Sequence, residues 1–270
     1  GNLVQREPLA VTWDPITAKK GGYRHFMLKE IHEQPEVVMD TLRGRVDQEK
    51  GVVHLNELKL SDDELRSIDR IVIVACGTAW HAALVTKFYI EKFARVSVEV
   101  DYASEYRYRS PLIDNKTLFI AISQSGETAD TLAALQIALD RNAKTLAICN
   151  VIGSTIARKA GNLLNTHAGP EISVASTKAF ITQLVTGYLF ALRLASARSA
   201  LSPAQIKDYL DQIVKLPNLL HEALNFEDEV ANIAETFSKT HDLLYLGRGF
   251  LYPIALEGAL KLKEISYIHA

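Results

Sequence analysis

The chain of 270 residues is 48% hydrophobic and 23% charged, and its formal net charge is −2. A chain of this length can bury a full core. Because Lys and Arg are spread along the chain and the net charge is close to zero, we expect neither a nucleic-acid partner nor a membrane partner.

The cysteine content and the chain's hydropathy favour a cytoplasmic protein. Cys76 and Cys149 each stand beside an apolar run typical of a strand, which suits buried free thiols in a reducing compartment. The N-terminus lacks a secretory pattern, and no stretch approaches the ~20 apolar residues that cross a bilayer. The stretch 180–194 comes nearest, but polar side chains such as Gln183 interrupt it, so it predicts a buried helix.

The first 70 residues predict a linker and a helical lead-in. Residues 1–22 mix Pro, Thr and Gly without periodicity and end in the flexible sequence Lys-Lys-Gly-Gly, which is typical of a linker. Residues 23–70 show a helical pattern over 25–42 and then a polar stretch with irregularly spaced leucines. We expect this second segment to lead into the first domain.

Residues 71–200 predict a complete α/β domain. Continuous apolar runs indicate parallel strands that are buried on both faces, and these runs lie at 71–75, 96–100, 117–122, 145–149 and, more weakly, 163–167. The segments 80–94 and 127–141 are long enough for right-handed crossover helices. We predict a three-layer α/β/α sandwich around a parallel five-stranded flavodoxin-like sheet, with any site beyond the carboxyl ends of the strands.

The pattern becomes helical after Thr177. A long apolar helix reaches about residue 197, and connecting helices over 201–240 would cover the sheet or bridge to a neighbour. The run DLLYLGRG at 242–249 then predicts a new first strand and a glycine turn, followed by a helix. Because a βαβ unit takes about 30 residues or more, we expect 241–270 to be the incomplete beginning of a second domain.

The segment SQSGET at 123–128 predicts an anion site. It follows an apolar strand and opens a helix, so three hydroxyls and the helix's first amides converge where the helix dipole is positive. Such neutral donors can hold a phosphate monoester without Lys or Arg. The segment is neither a P-loop nor a dinucleotide fingerprint, and an ordinary helix cap by Ser is the alternative.

Two further turns could form walls of the same site. The turn ACGTA at 75–79 also joins a strand to a helix, and adjacent parallel strands would bring Thr78 close to the Ser123 turn. The segment VASTK at 174–178 precedes the long helix and could form a third wall. For both turns a purely structural role, as a tight turn or a helix cap, is the alternative.

A charged stripe in the last helix could carry acid-base chemistry. Glu257, Lys261 and Glu264 are spaced i, i+4 and i+7 and therefore share one stripe, while the other faces are mostly apolar. In an enclosed site, a Glu beside a Lys can move protons at a carbon next to a carbonyl. A solvated ladder of ion pairs is the alternative.

We predict no metal site and no cofactor. The eight His residues are scattered, and none forms a tight pair with acidic residues or Cys. His81 and His269 stand near the predicted site, but the pattern assigns neither of them a role.

Four segments together resemble the glutamine:fructose-6-phosphate amidotransferase (isomerising) family: ACGTA at 75–79, SQSGETADTLAAL at 123–135, VASTKAF at 174–180 and ALEGALKLKEISYIHA at 255–270. The lead-in GGYRHFMLKEIHEQP at 21–35 is similar to that family's junction between its glutaminase domain and its isomerase half. The resemblance implies the sugar isomerase (SIS) fold. It also implies an aminotransferase that converts fructose 6-phosphate and glutamine-derived ammonia into glucosamine 6-phosphate, on the route to UDP-N-acetylglucosamine.

The resemblance implies a role for each part of the predicted site. Glu264 would be the base that moves a proton between C1 and C2 of the sugar, with Lys261 and Glu257 assisting at neighbouring oxygens. At position 79, many relatives carry a Ser where this chain has Ala79. The residues that would bind the substrate are Thr78, Ser123, Gln124, Ser125 and Thr128 at the sugar phosphate, and Val174 and Ser176 along the sugar.

The resemblance also implies a homodimer and a glutaminase domain in the parent protein. The family's ring-opening His and Schiff-base Lys come after the segment that this chain covers, so we expect the chain to bind phosphosugar without turnover. One alternative is a non-catalytic SIS module that senses phosphosugars, which would need the hydroxyls but not the charged stripe. A plain phosphosugar isomerase is a second alternative, and the junction-like lead-in argues against it.

Overall fold

The lead-in contains two helices where the pattern predicted one. The computed structural model describes residues 19–270, so most of the predicted linker lies outside the described residues. Helices α1 (Phe26–His32) and α2 (Gln34–Leu42) are separate because Pro35, in the first turn of α2, has no N–H and cannot continue the preceding helix. The antiparallel strands β1 (Val46–Asp47) and β2 (Val52–Val53) and the short helix α3 (Asp62–Arg66) follow.

All five predicted strands form one parallel sheet. They are β3 (Arg70–Ala75), β4 (Ser97–Tyr102), β5 (Thr117–Ser123), β6 (Lys144–Cys149) and β7 (Asn162–Asn165). Their order across the sheet is β4-β3-β5-β6-β7, which is the flavodoxin-like order with its switch point between the first and third strands of the sheet. Every residue of β5 is buried, as expected of a central strand that is covered on both faces.

Helices cover both faces of this sheet, which confirms the predicted three-layer fold class. Helices α4 (Thr78–Phe93) and α8 (Lys178–Ala197) share one core with alternate strand residues such as Ile71 and Ile73. The second core contains the intervening residues Val72 and Val74, and the helices that contribute to it are α5 (Ala103–Tyr106), α6 (Ala129–Asp140) and α7 (Thr155–Lys159). Successive side chains along a strand point to opposite faces of the sheet, so the residues of each strand divide between the two cores.

Helix α8 is the only described helix that could cross a membrane by length and composition. However, 72% of its most apolar window is buried inside the molecule. Its apolar side chains pack into the same core as α4 and the sheet. The predicted buried helix is therefore confirmed.

Four helices complete the described chain: α9 (Pro203–Ile213), α10 (Leu216–Leu224), α11 (Glu227–Phe237) and α12 (Leu251–Ser266). Helix α9 begins with a capping box, in which Ser202 Oγ accepts the backbone N–H of Gln205 and the Gln205 side chain reaches back to Ser202. Helix α12 packs against α4 and so lies beside the end of the sheet where the carboxyl ends of the strands meet.

The predicted strand at 242–249 is wrong. This segment carries one isolated parallel bridge, between Asp242 and His269, and the side chains of Leu244 and Leu246 are 87% and 88% exposed. A strand needs a neighbouring strand to pair its backbone groups, and no second strand lies beside this segment within residues 19–270. The assignment of 241–270 to a second domain stays a prediction, as do the other domain boundaries.

Candidate functional site

The turn between β5 and α6 holds the three predicted hydroxyls together. Ser123 Oγ lies 3.1 Å from Thr128 Oγ1 and accepts the backbone N–H of Gly126 at 3.0 Å. Ser125 Oγ accepts the backbone N–H of Glu127 at 3.2 Å. Thr128 is the N-cap residue of α6, but its side chain makes no capping hydrogen bond. The hydroxyls of Ser123, Ser125 and Thr128 thus bond within the turn itself, and we call residues 123–128 the cradle.

Gly126 lets the cradle pack closely on the next strand-to-helix turn. Its φ is +66°, and a Cβ at this position would lie 1.9 Å from Ser154 Oγ and 2.8 Å from Cys149 Sγ. Beside it, Glu127 Oε1 accepts the backbone N–H of Thr155 at 2.7 Å, and this hydrogen bond lowers the pKa of Glu127. The side chain of Glu127 thus links the cradle to the first residue of α7.

The second predicted turn joins the cradle to α12. Gly77, with φ of +55°, precedes α4, and Thr78 is the first residue of that helix. Thr78 Oγ1 donates to Glu257 Oε1 at 2.9 Å and accepts a hydrogen bond from Lys261 Nζ at 3.0 Å. One hydroxyl therefore links the turn after β3 to two members of the charged stripe.

The third predicted wall is held in place by the half-buried carboxylate of Glu171. Glu171 Oε2 accepts the hydroxyl of Ser176 at 2.9 Å, and Glu171 Oε1 accepts the backbone N–H groups of Thr177 and Ala179 at 2.9 and 3.1 Å. Burial raises the pKa of Glu171, although these hydrogen bonds oppose the shift. The carboxylate thus accepts free N–H groups at the N-terminus of α8 and holds the side chain of Ser176 in place.

These three segments enclose a cavity of about 220 Å³ beyond the carboxyl ends of β3 and β5. The cavity lies where parallel α/β sheets bind their ligands. Its lining residues are Cys76, Thr78, Ala79, Ile122, Ser123, Gln124, Ser125, Thr128, Ser176 and Gln183. Six of the seven residues that we predicted to bind the substrate are among them.

Val174 is the predicted residue that the cavity does not include. Its side chain is 99% exposed, and it lines a second, larger cavity of about 700 Å³ together with Glu264 and residues of α1. The larger cavity is lined by Ser173, Val174 and Ala175, and the smaller one by Ser176. The path of the segment 173–176, which places Ser176 inward and Val174 outward, could not be deduced from the sequence pattern.

The charged stripe of α12 is a connected network. Lys261 Nζ lies 2.7 Å from Glu264 Oε2 and 3.5 Å from Glu257 Oε1. Glu257 is only 6% exposed, and its Oε2 lies 2.6 Å from Nδ1 of the buried His81. Glu257 is therefore not part of a solvent-exposed ladder of ion pairs. At the other end of the stripe, the side chain of Glu264 is 38% exposed and lines the larger cavity.

Two contributions were missed by the sequence analysis. His81 was noted for its position but assigned no role, although it holds the buried carboxylate of Glu257. Gln183 was noted only as an interruption of an apolar stretch, although it lines the cavity from α8. In each case the usable signal was a polar side chain on an otherwise apolar helix.

The comparisons with known proteins agree with this geometry. The SIS domain family matches residues 64–193. The C-terminal domain of glucosamine-fructose-6-phosphate aminotransferase from Francisella tularensis superposes with a TM-score of 0.89 at 45% identity, over 93% of this chain and 70% of that one. The chain belongs to the glutamine–fructose-6-phosphate aminotransferase (isomerizing) family.

Curated members of the aminotransferase family match the whole chain. The protein from Methanosarcina mazei is 49% identical over 270 residues, and that from Symbiobacterium thermophilum is 51% identical over 270 residues. In both comparisons the chain spans 44% of the relative's own length. A glucosamine-6-phosphate deaminase from Thermotoga maritima superposes with a TM-score of 0.69 at 21% identity, which indicates a shared fold alone.

The arrangement suits an anionic, hydroxyl-bearing ligand. The cradle offers hydroxyls and the first amides of α6, which donate to phosphoryl oxygens without a formal positive charge. Within residues 19–270, no group of three or more His, Cys, Asp and Glu side chains is arranged to hold a metal ion. The α12 network meets the cavity at Thr78, which bonds to both Glu257 and Lys261, and its ionisable groups could move a proton on a ligand that is anchored in the cradle.

Proposed function

We propose that this chain is the isomerase portion of a glucosamine-6-phosphate synthase, which converts fructose 6-phosphate and glutamine-derived ammonia into glucosamine 6-phosphate. The observation that carries the proposal is the position of Thr78. Its side chain lines the hydroxyl-rich cavity and also hydrogen-bonds to Glu257 and Lys261. An anion site and a set of proton-carrying groups thus share one residue.

The phosphoryl group would occupy the cradle. Ser123, Ser125 and Thr128 would donate hydroxyl protons to its oxygens, and the N-terminus of α6 would add backbone donors and a favourable dipole. Thr78 and Gln124 would form the adjoining walls. The sugar carbons would then extend past Ser176 toward Val174 and the larger cavity.

Glu264 would be the base in the isomerisation. With ammonia condensed at C2 of the open-chain ketose as an imine, Glu264 would take a proton from C1 and return it at C2. The C1 hydroxyl would lose its proton and the imine nitrogen would gain one, leaving an aldehyde at C1 and an amine at C2. Lys261, 2.7 Å from Glu264, would balance charge at the neighbouring oxygens, and Glu257 would hold Lys261 and Thr78 in place. The support for these roles is the network geometry together with family membership.

A non-catalytic SIS module is the second candidate function. A phosphosugar sensor would need the cradle but would have no use for the α12 network. The burial of Glu257 and its hydrogen bonds to Thr78 and His81 favour the enzyme, because ionisable groups that are buried beside a cavity occur more often at functional sites than elsewhere.

Three further properties belong to the same proposal. The parent protein would carry a glutaminase domain before the lead-in, the assembled protein would be a homodimer, and the location would be cytoplasmic. Residues 71–200 would form the first SIS domain, and residues 241–270 would begin the second. The buried free thiol of Cys149 and the apolar surface of the C-terminal helices are compatible with these expectations.

The binding proposal is tested with glucosamine 6-phosphate and calorimetry. Ser125→Ala combined with Thr128→Ala should weaken binding by about 100-fold or more, since hydrogen bonds to a charged group contribute about 1.5–3 kcal/mol each. Thr236→Ala, which removes an exposed hydroxyl from α11, is the control and should leave the affinity unchanged. Equal affinity in the wild type and the double variant would remove the cradle from the proposal.

The base is tested in the full-length parent protein, because the family's ring-opening His and Schiff-base Lys lie after the segment that this chain covers. Glu264→Gln should leave phosphosugar affinity within about threefold of wild type, because Glu264 lies outside the cavity of the cradle. It should abolish exchange of solvent deuterium into the sugar at C1 and C2. Undiminished exchange would show that another group moves the proton.

A further inference from the structure

The segment 170–176, which leads into α8 and carries Ser176, belongs to no helix or strand. Within residues 19–270, this segment makes no backbone-to-backbone hydrogen bond. It nevertheless supplies Ser176 to the cavity of the cradle and Val174 to the larger cavity. Its path past the site must therefore be set by side chains that bind it.

One of these side chains comes from the lead-in. Glu30 of α1 is 2% exposed, and its Oε1 accepts the backbone N–H of Ile172 at 2.6 Å and that of Ser173 at 3.1 Å. Its Oε2 has no hydrogen-bond partner in the described part of the chain. A buried carboxylate is costly unless hydrogen bonds offset its desolvation. The two hydrogen bonds that do so for Glu30 both come from this segment, and they tie it to α1.

A second contact from the lead-in holds the far end of the segment. Lys178, the first residue of α8, is 3% exposed, and its Nζ lies 2.7 Å from Oε2 of Glu33. Glu33 stands between α1 and α2. The lead-in therefore binds the chain on both sides of Ser176, at 172–173 and at 178.

The position of Ser176 affects the sugar part of a ligand more than its phosphoryl group. The hydroxyl proton of Ser176 is donated to Glu171, so its oxygen can only accept a further hydrogen bond. A phosphate dianion has no proton to donate, whereas the hydroxyls of a sugar do. The phosphoryl group would be held by the cradle, which belongs to a different strand-to-helix turn.

We propose that Glu30 is a positioning residue that keeps Ser176 within hydrogen-bonding reach of the sugar part of the bound phosphosugar. This inference rests on the proposed function, because it presupposes that the phosphoryl group lies in the cradle. It gives the lead-in helix a part in sugar recognition, although Glu30 itself lines neither cavity. The effect of Glu30 is transmitted by the two backbone amides that it binds.

The test compares glucosamine 6-phosphate with methyl phosphate, a phosphate monoester without sugar hydroxyls, in NMR titrations of this chain. Glu30→Ala should weaken binding of glucosamine 6-phosphate by about tenfold, the contribution of one hydrogen bond, and leave methyl phosphate unchanged. Glu30→Gln keeps an acceptor oxygen at the same reach and should bind both ligands within about twofold of wild type. Glu36→Ala, which removes an exposed carboxylate from α2, is the control and should change neither affinity.

Each alternative gives a different result. Unchanged affinity of Glu30→Ala for glucosamine 6-phosphate would overturn the inference, and so would an equal loss for both ligands, because Glu30 would then support the cradle or the whole fold. A loss in Glu30→Gln as large as that in Glu30→Ala would also overturn it, because the acceptor oxygen would not be the cause. If Glu30→Ala fails to fold, Glu30→Asp, whose carboxylate is one methylene short of the two amides, should show the same selective loss. A wild type that binds neither ligand would refute the proposed function itself, and this inference with it.

Discussion

Single positions decide whether the cradle can form at all, and Gly126 is the clearest case. Its φ of +66° lies in the left-handed region, and the space that a Cβ would need is filled by Ser154 and Cys149. Glycine is therefore required at this position for two reasons: the backbone conformation, and the close contact with Ser154 and Cys149. The sequence analysis predicted a turn here but could not predict which neighbouring segment would press against it.

Gly126→Ala should destabilise the protein by about 3 kcal/mol or more, because positive-φ strain and a steric clash add together. Gly44 provides the control, since its φ is +72° but no atom lies within 4 Å of an added Cβ. Gly44→Ala should therefore cost only the strain, about 1 kcal/mol. Denaturant unfolding measures both values, and equal losses in the two variants would contradict the packing argument.

At the scale of elements, the sequence predicted what depends on local pattern. Continuous apolar runs gave all five strands of the sheet, and the rule for parallel sheets placed Thr78 beside Ser123 correctly. Features that depend on tertiary contacts were not predictable. These include the exposed position of Val174, the carboxylate of Glu171 that caps α8, and the lack of a strand partner for 242–249 among the described residues 19–270.

Glu171→Gln should change how stability depends on pH. Burial raises the pKa of Glu171, so the folded protein holds this proton more tightly than the unfolded chain. The stabilising contribution of Glu171 is then complete below its ordinary pKa of 4.5 and is lost as pH rises through the folded value. Relative to the variant, the wild type should therefore lose stability above that pH. Denaturant unfolding across the pH range measures this difference.

Glu127→Gln is the control, because the pKa of Glu127 is shifted in the opposite direction to that of Glu171. The hydrogen bond from Thr155 lowers the pKa of Glu127 below its ordinary value of 4.5, so its contribution is present above that pH and is lost as pH falls. The wild type should therefore lose stability relative to this variant below that pH. Parallel curves for the wild type and Glu171→Gln at every pH would contradict the account of α8.

At the scale of the whole molecule, the C-terminal helices present an apolar surface. On α11 and its N-cap residue, Phe226, Val230, Ile233 and Phe237 are 47% to 60% exposed and recur at helical spacing along one face. Exposed apolar patches of this kind mark surfaces that are covered in an assembly. The proposed homodimer would supply such a cover.

Sedimentation velocity tests this expectation. The chain should associate at micromolar concentration, and Ile233→Glu should weaken association by about tenfold or more, because a charge would be buried in the contact. Asn232→Glu adds the same charge at the adjacent exposed position of α11 and should have a much smaller effect. A wild type that sediments as a monomer at every concentration would contradict the proposed homodimer.

The most direct test of the central proposal is a crystal structure of the chain with glucosamine 6-phosphate bound. The account predicts the phosphorus atom in the cavity of the cradle, with its oxygens within hydrogen-bonding distance of the hydroxyls of Ser123, Ser125 and Thr128. A ligand whose phosphoryl group lies elsewhere, while Ser123 and Thr128 stay bonded only to each other, would contradict it.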